Sequence, residues 1–140
     1  MVAARRNGRP VDDDGAMLDH LSIQVADFER AATFYDAVLD TIGGKRIMEF
    51  PGVVGYGTGF PCFWIGTEAT HGDVRQECHI AFTAPSRAAV DAVRDAAAGL
   101  GYEVLHEPRL WPEYHAGYYG TFVRDPDGNN VEAVHHTFDA

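Results

Sequence analysis

The sequence predicts an α+β fold in which one β-α-β-β-β pattern occurs twice. Three observations predict it: a half-buried strand opens on His20 and again on His79, an apolar helical stripe follows each, and three strand-like runs close each copy. His20 to Gly43 is 23 steps and His79 to Gly101 is 22, so the copies align almost without gaps. A repeat of about 60 residues with this content fits two fused modules rather than a solenoid.

The elements follow in order. Residues 1–16 carry Arg5, Arg6 and Arg9, then Asp12, Asp13 and Asp14, with almost nothing to bury, and read as a disordered tail. The twin arginine has no apolar stretch behind it, so it fails as a secretory signal. The periodic pattern begins at Leu18, which makes Met17 the expected natural start. His20 to Val25 alternates polar and apolar residues as a strand with one buried face does. Asp27 is an N-cap, and Phe28, Ala31, Ala32, Tyr35, Val38, Leu39 and Ile42 share one helical face that Gly43 and Gly44 end. Strands are expected at Lys45–Phe50, Val53–Gly57 and Pro61–Gly66.

Glu68 to Gln76 links the modules. His79 to Thr83 is the second opening strand, and Pro85-Ser86 caps a helix burying Ala89, Val90, Val93, Ala96, Ala97 and Leu100 up to Gly101. Strands follow at Tyr102–His106, Tyr118–Arg124 and Asn130–His136, the last two joined by the turn Asp125-Pro-Asp-Gly-Asn129. The excursion Glu107 to Gly117 carries Trp111, Tyr114 and His115, and loops of that length often bear function. One domain is expected over 17–137, as modules of about 17–67 and 76–137.

Composition narrows the partners. A formal charge of −10 without a basic stripe beyond the tail repels a phosphate backbone, which excludes nucleic acid. No run approaches the roughly 18 apolar residues of a membrane helix. Two cysteines, Cys62 and Cys78, do not suggest a disulfide framework, and a cytoplasmic setting is the simplest.

Side chains alternate along a strand, so parity assigns faces. The apolar residues Leu21, Ile23 and Val25, and Ile80, Phe82 and Ala84, must cover the helices. His20 and His79 then stand on the opposite, concave face at equivalent points of the two copies. Glu132 sits in the apolar run Asn130-Val-Glu-Ala-Val134, where a carboxylate is costly without a partner. Two imidazoles and a carboxylate suit a divalent cation and leave positions open for substrate. A single strand histidine is more simply a hydrogen-bonded structural group. Two at matched positions, with an odd glutamate, point to a site.

The segments Asp19-His-Leu-Ser-Ile-Gln-Val25 with Phe34-Tyr35, Cys78-His-Ile-Ala-Phe82, and Phe122-Val-Arg-Asp-Pro-Asp-Gly-Asn-Asn-Val-Glu132 resemble the vicinal oxygen chelate superfamily. That superfamily includes glyoxalase I, fosfomycin-resistance proteins, bleomycin-binding proteins and extradiol dioxygenases. The resemblance covers about residues 17 to 137 and implies a curved, barrel-like mixed sheet with helices outside. It implies His20, His79 and Glu132 as ligands of a divalent metal (iron, manganese, nickel, cobalt or zinc), a small-molecule substrate, and a homodimer. Some members complete each metal site from two chains.

One departure bears on activity. Phe63-Trp64-Ile65 aligns with Val131-Glu132-Ala133, so Trp64 stands where glyoxalase I carries a fourth, glutamate ligand. Without that carboxylate base the lyase chemistry loses its means of moving a proton between carbons. The resemblance therefore implies a metal enzyme of the lyase, isomerase or ring-cleaving dioxygenase type, acting on a substrate that chelates through adjacent oxygens. Glu132, His115 and Tyr114 are the catalytic candidates, and Trp64, Tyr118 and Phe122 are expected to line the substrate cavity. His136 shares the parity of Glu132 and is placed at the rim, whereas His71, His106 and His135 read as surface residues and Cys78 as packing. The alternative is a metal-free protein that sequesters an aromatic drug or metabolite in a cavity of Trp64, Phe60, Phe63, Tyr118 and Phe122.

Overall fold

The computed structural model of the chain describes residues 5–6, 9–10, 18–67 and 77–138. Arg5–Arg6 (β1) pairs antiparallel with Arg9–Pro10 (β2) as a minimal ribbon. The rest of the expected tail, Met17, the linker Glu68 to Gln76 and His71 lie outside the described residues.

The first module runs β3 (Leu21–Gln24), α1 (Phe28–Asp40), β4 (Lys45–Phe50), β5 (Val53–Gly57) and β6 (Phe63–Gly66). The second runs β7 (His79–Thr83), α2 (Arg87–Gly99), β8 (Val104–Leu110), β9 (Tyr118–Arg124) and β10 (Asn130–His136). Each forms a four-stranded mixed sheet, ordered β3-β6-β5-β4 and β7-β10-β9-β8, with the opening strand parallel to the closing one. The α+β class and the doubled pattern are those expected. The sheets differ from a closed barrel: they are separate, because β3 and β7 form no ladder with one another.

The helices are set by their ends. Asp27 accepts from the Arg30 N–H at 3.1 Å and Ser86 from the Ala89 N–H at 3.1 Å, caps worth about 1 kcal/mol each. Gly43 and Gly101 follow the two helices at the same φ of 87°, the left-handed conformation that stops each one. Ala31, Ala32, Phe34, Tyr35, Val38 and Leu39 of α1 are buried, as are Ala89, Val90, Val93 and Ala97 of α2. Leu100, expected inside, is instead exposed at the helix end. The helices pack on the sheet faces bearing Ile23, Ile65, Ile80, Val123 and Val131, and one core spans both modules.

The Asp125–Asn129 turn fastens the modules together. Buried Asp125 accepts from the Asp127 and Asn129 N–H groups with Oδ1, and from the Tyr35 hydroxyl at 2.6 Å with Oδ2. Asp127 accepts from the Ala26 N–H at 3.0 Å, while Asn129 accepts from the Cys78 N–H at 2.9 Å. Burial holds the Tyr35 hydroxyl well above its ordinary pKa, with the Asp125 charge adding to the effect, so it stays a donor.

Several strand boundaries differ from expectation: β3 begins at Leu21, β6 at Phe63 and β8 at Val104, each one or two residues later than the sequence suggests. β8 continues to Leu110, four residues beyond the predicted end, so the loop begins at Trp111. The strand passes Pro108 because it lies on the sheet edge and shifts register between His106 and Arg109, where no ladder N–H is required. Cys78 is exposed rather than packed.

Candidate functional site

Parity along β7, β9 and β10 places His79, Tyr118, Gly120, Phe122 and Glu132 on the sheet face away from the helices. Asn130 lies beside His79 in the parallel ladder, and Glu132 is two residues further along the same face. There the His79 Nε2 and Glu132 Oε1 stand 2.9 Å apart. Glu132 is 2% exposed, whereas the His79 side chain is about half exposed, so the pair presents an imidazole outward from a buried carboxylate.

The second carboxylate oxygen, Oε2, accepts from the Tyr118 hydroxyl. Gly120 makes room for this contact: a Cβ there would stand 3.2 Å from Tyr118 Cε1 and 3.4 Å from Glu132 Oε2. Burial raises the pKa of the Tyr118 hydroxyl above its ordinary value, and the hydrogen bond and charge of Glu132 raise it further. Tyr118 is therefore a donor to Glu132 at neutral pH and not a base.

Aromatic rings wall the pair. Phe122, directly opposite Glu132 in the ladder, meets the His79 ring edge-on at 5.9 Å, His106 at 5.5 Å and Trp111 at 5.2 Å. Trp111 is buried and donates its indole N–H to the Gly120 carbonyl at 3.0 Å. His106 is exposed, as the sequence reading has it, and its ring lies 5.1 Å from that of Trp111 at the edge of this wall.

Tyr114 and His115 border the wall on the loop. Tyr114 is 60% exposed, stacks on Trp111 and leans on Tyr118 at 4.8 Å. The His115 Nδ1 accepts from the Gly117 N–H at 3.1 Å, which leaves its Nε2–H to donate to His136 Nδ1 at 2.9 Å. His136 thus meets His115 beside Tyr118. Of the two loop candidates and Tyr118, the tyrosine on β9 is the one bonded to Glu132. Its parity with Phe122, two steps past a glycine, was the available signal for that contact. His135 faces the other way and bonds the Ala84 carbonyl at 2.9 Å.

His20 immediately precedes β3 of the first sheet and is exposed, with Nδ1 2.8 Å from Asp19 Oδ1. That contact leaves Nε2 as the ring nitrogen suited to a ligand, with the carboxylate orienting the ring from behind. Among the described residues no group of three or more His, Cys, Asp or Glu side chains converges to hold a metal ion. The fold of one chain brings His79 and Glu132 together and keeps His20 apart, because their sheets are separate. Trp64 takes the place equivalent to Glu132: it lies opposite Ser22 in β3 as Glu132 lies opposite Ala81 in β7. Phe63, expected in the cavity, is buried on the helix side, 4.9 Å from Tyr35 and 5.0 Å from Phe82. Phe60 is half-buried in the turn before β6.

Comparison with known proteins accords with this architecture. No curated protein matches the chain. A glyoxalase/bleomycin resistance protein from Albidiferax ferrireducens T118 is 27% identical, with a TM-score of 0.78 over 86% of this chain and 100% of that one. Lactoylglutathione lyase from Agrobacterium tumefaciens is 26% identical, with a TM-score of 0.64 over 86% and 93%. A glyoxalase-related enzyme from Fulvimarina pelagi, at 19% identity, a TM-score of 0.68 and coverage of 89% and 99%, shares the fold. Residues 17–133 match the family model described as Glyoxalase/Bleomycin resistance protein/Dioxygenase superfamily, and the chain belongs to that superfamily.

Proposed function

We propose that this protein is a divalent-metal-dependent enzyme that works as a homodimer, with each centre held by His79 and Glu132 of one subunit and His20 of the other. The substrate is a small molecule that chelates through adjacent oxygens. The observation that carries this reading is the 2.9 Å approach of the His79 nitrogen and the Glu132 oxygen on an open face. One nitrogen and one oxygen donor at that separation fit part of a shell for iron, manganese, nickel, cobalt or zinc. Among the described residues of one chain no third donor joins them, which is why a second copy enters the proposal.

Bound there, the cation supplies Lewis-acid stabilisation of negative charge on adjacent substrate oxygens. The chain's own residues do the remaining work. Tyr118 fixes the Glu132 carboxylate by donating to Oε2, which sets the direction of Oε1. The buried Phe122 and Trp111 keep water from one side of the pair, where electrostatic interactions gain strength. In this reading Tyr114 and His115, which contact Tyr118 from the loop, would exchange protons with a bound molecule. Trp64 in place of a fourth carboxylate favours a reaction that needs no second carboxylate base.

A metal-free binding protein is the second reading. It is favoured by one observation: both Glu132 oxygens already accept hydrogen bonds, so the buried carboxylate is satisfied without a cation. Elemental analysis of untagged protein separates the two. The enzyme reading predicts about one divalent metal per chain, lost in H79A and in E132A; absence of metal after reconstitution selects the binder.

A further inference from the structure

The first module's concave face carries a feature the metal reading leaves unused. Gly55 lies opposite Trp64 in the antiparallel ladder. A Cβ at Gly55 would stand 2.8 Å from each of the indole atoms Cδ2, Cε2 and Cη2. Equal distances to three atoms spread across the six-membered ring mean that the ring lies face-on over the glycine backbone. One π-face therefore rests on the strand and the other turns outward. Phe50 extends this surface, near-parallel at 18° with its centroid 6.4 Å away.

A cavity of about 100 Å³ opens there, lined by Ser22, Gln24, Val53 and Trp64 among others. That volume is of the order of the ~150 Å³ cavity known to accept benzene. Gln24 adds a polar requirement. Its Oε1 is shielded from solvent and accepts no hydrogen bond from the described residues. Such an acceptor is costly to leave unmet and favours a molecule that brings a donor. Its terminal torsion is broad enough to turn the amide toward one.

We propose that this face is a subsite for a single flat aromatic ring bearing an O–H or N–H donor, with Trp64 as the stacking surface and Gln24 as the acceptor. The inference deepens the reading above, resting on it for the idea that the concave faces receive a small molecule, and names an aromatic ring as part of what they receive.

The test is an NMR titration of the chelator-treated full-length protein, read at the Trp64 indole N–H, with three probes. Phenol has ring and donor, anisole has the ring alone, and cyclohexanol has the donor alone. Phenol is expected to bind at least about fivefold tighter than either of the others. Trp64→Ala should weaken phenol about tenfold or more, read by ligand-observed NMR. Gln24→Leu should abolish the preference for phenol over anisole while leaving anisole affinity unchanged, a change that a merely structural glutamine would not give. Equal binding of the three probes, no saturable binding of phenol, or undiminished phenol binding in Trp64→Ala would overturn the proposal. Metal is absent throughout, so loss of the metal-enzyme reading and loss of this subsite are separate results.

Discussion

The two modules share a scaffold and part ways on one face. Sheet order, strand direction and helix placement are the same in both, and even the ladder positions correspond: Trp64 pairs with Ser22 and Gly55 where Glu132 pairs with Ala81 and Phe122. On the helix side both modules carry buried aliphatic residues, because that side must fill a close-packed core. On the concave side bulk has changed strands. The second module places a large Phe122 beside a compact, buried Glu132; the first places a large Trp64 over a bare Gly55. The same pleat thus yields a hydrogen-bonded polar pair in one half and a flat apolar surface in the other. Packing dictates one face of each sheet and leaves the other available for chemistry.

Substitutions at the matched positions should separate these roles. Glu132→Ala leaves Tyr118 and His79 without their acceptor and should cost about 2–3 kcal/mol in chemical denaturation. Trp64→Ala, at the half-buried equivalent position, should cost less than half as much. Equal losses would break the contrast between a polar core pair and a surface platform.

Tyr118→Phe is expected to cost about 1–2 kcal/mol through the lost bond to Glu132. The folded-state pKa of this phenol is raised, so its contribution is fully present below the unfolded value of about 10 and is lost as pH climbs through the folded value. The gap between parent and Tyr118→Phe should therefore be flat from pH 6 to 9 and narrow only above about pH 10. A gap that already changes near neutrality would place another titrating group in the contact.

In the first module, Gly55→Ala should cost about 1 kcal/mol by lifting the indole from the backbone. The penalty should vanish in a Trp64→Ala background, since the three nearest atoms to a Cβ there all belong to that ring; additive losses would mean that Gly55 serves the strand itself. Asp27→Ala and Ser86→Ala should each cost about 0.5–1 kcal/mol, and alike, because the two caps make the same bond at the same distance. Unequal values would show that the helix side is less symmetric than its topology.

Much of this was legible in the sequence because it depends on local rules. Alternation placed Ile23 and Ile80 in the core and His79 and Glu132 on the other side, and Asp27, Ser86, Gly43 and Gly101 marked the helix ends. What escaped depends on tertiary arrangement. The passage of β8 through Pro108 rests on an edge-strand irregularity that no propensity announces. The bonds from Tyr35 to Asp125 and from Ala26 to Asp127 join segments about 90 and 101 residues apart. Strand parity gives a face but not which sheets meet. The sequence therefore could name His20, His79 and Glu132 as candidates without saying that one chain gathers only two of them.

The claim that a metal centre is shared between subunits is tested most directly by a mixed dimer. Differently tagged His20→Ala and Glu132→Ala chains would be co-expressed, the heterodimer isolated, its tags removed and its metal content measured beside the two parent homodimers. A shared centre predicts one intact site, built from His20 of the Glu132→Ala chain with His79 and Glu132 of the His20→Ala chain. The heterodimer should then hold about half the wild-type metal per chain, and each homodimer essentially none. An empty heterodimer, from chains whose wild-type parent binds metal, would contradict the account and place the whole centre within one subunit.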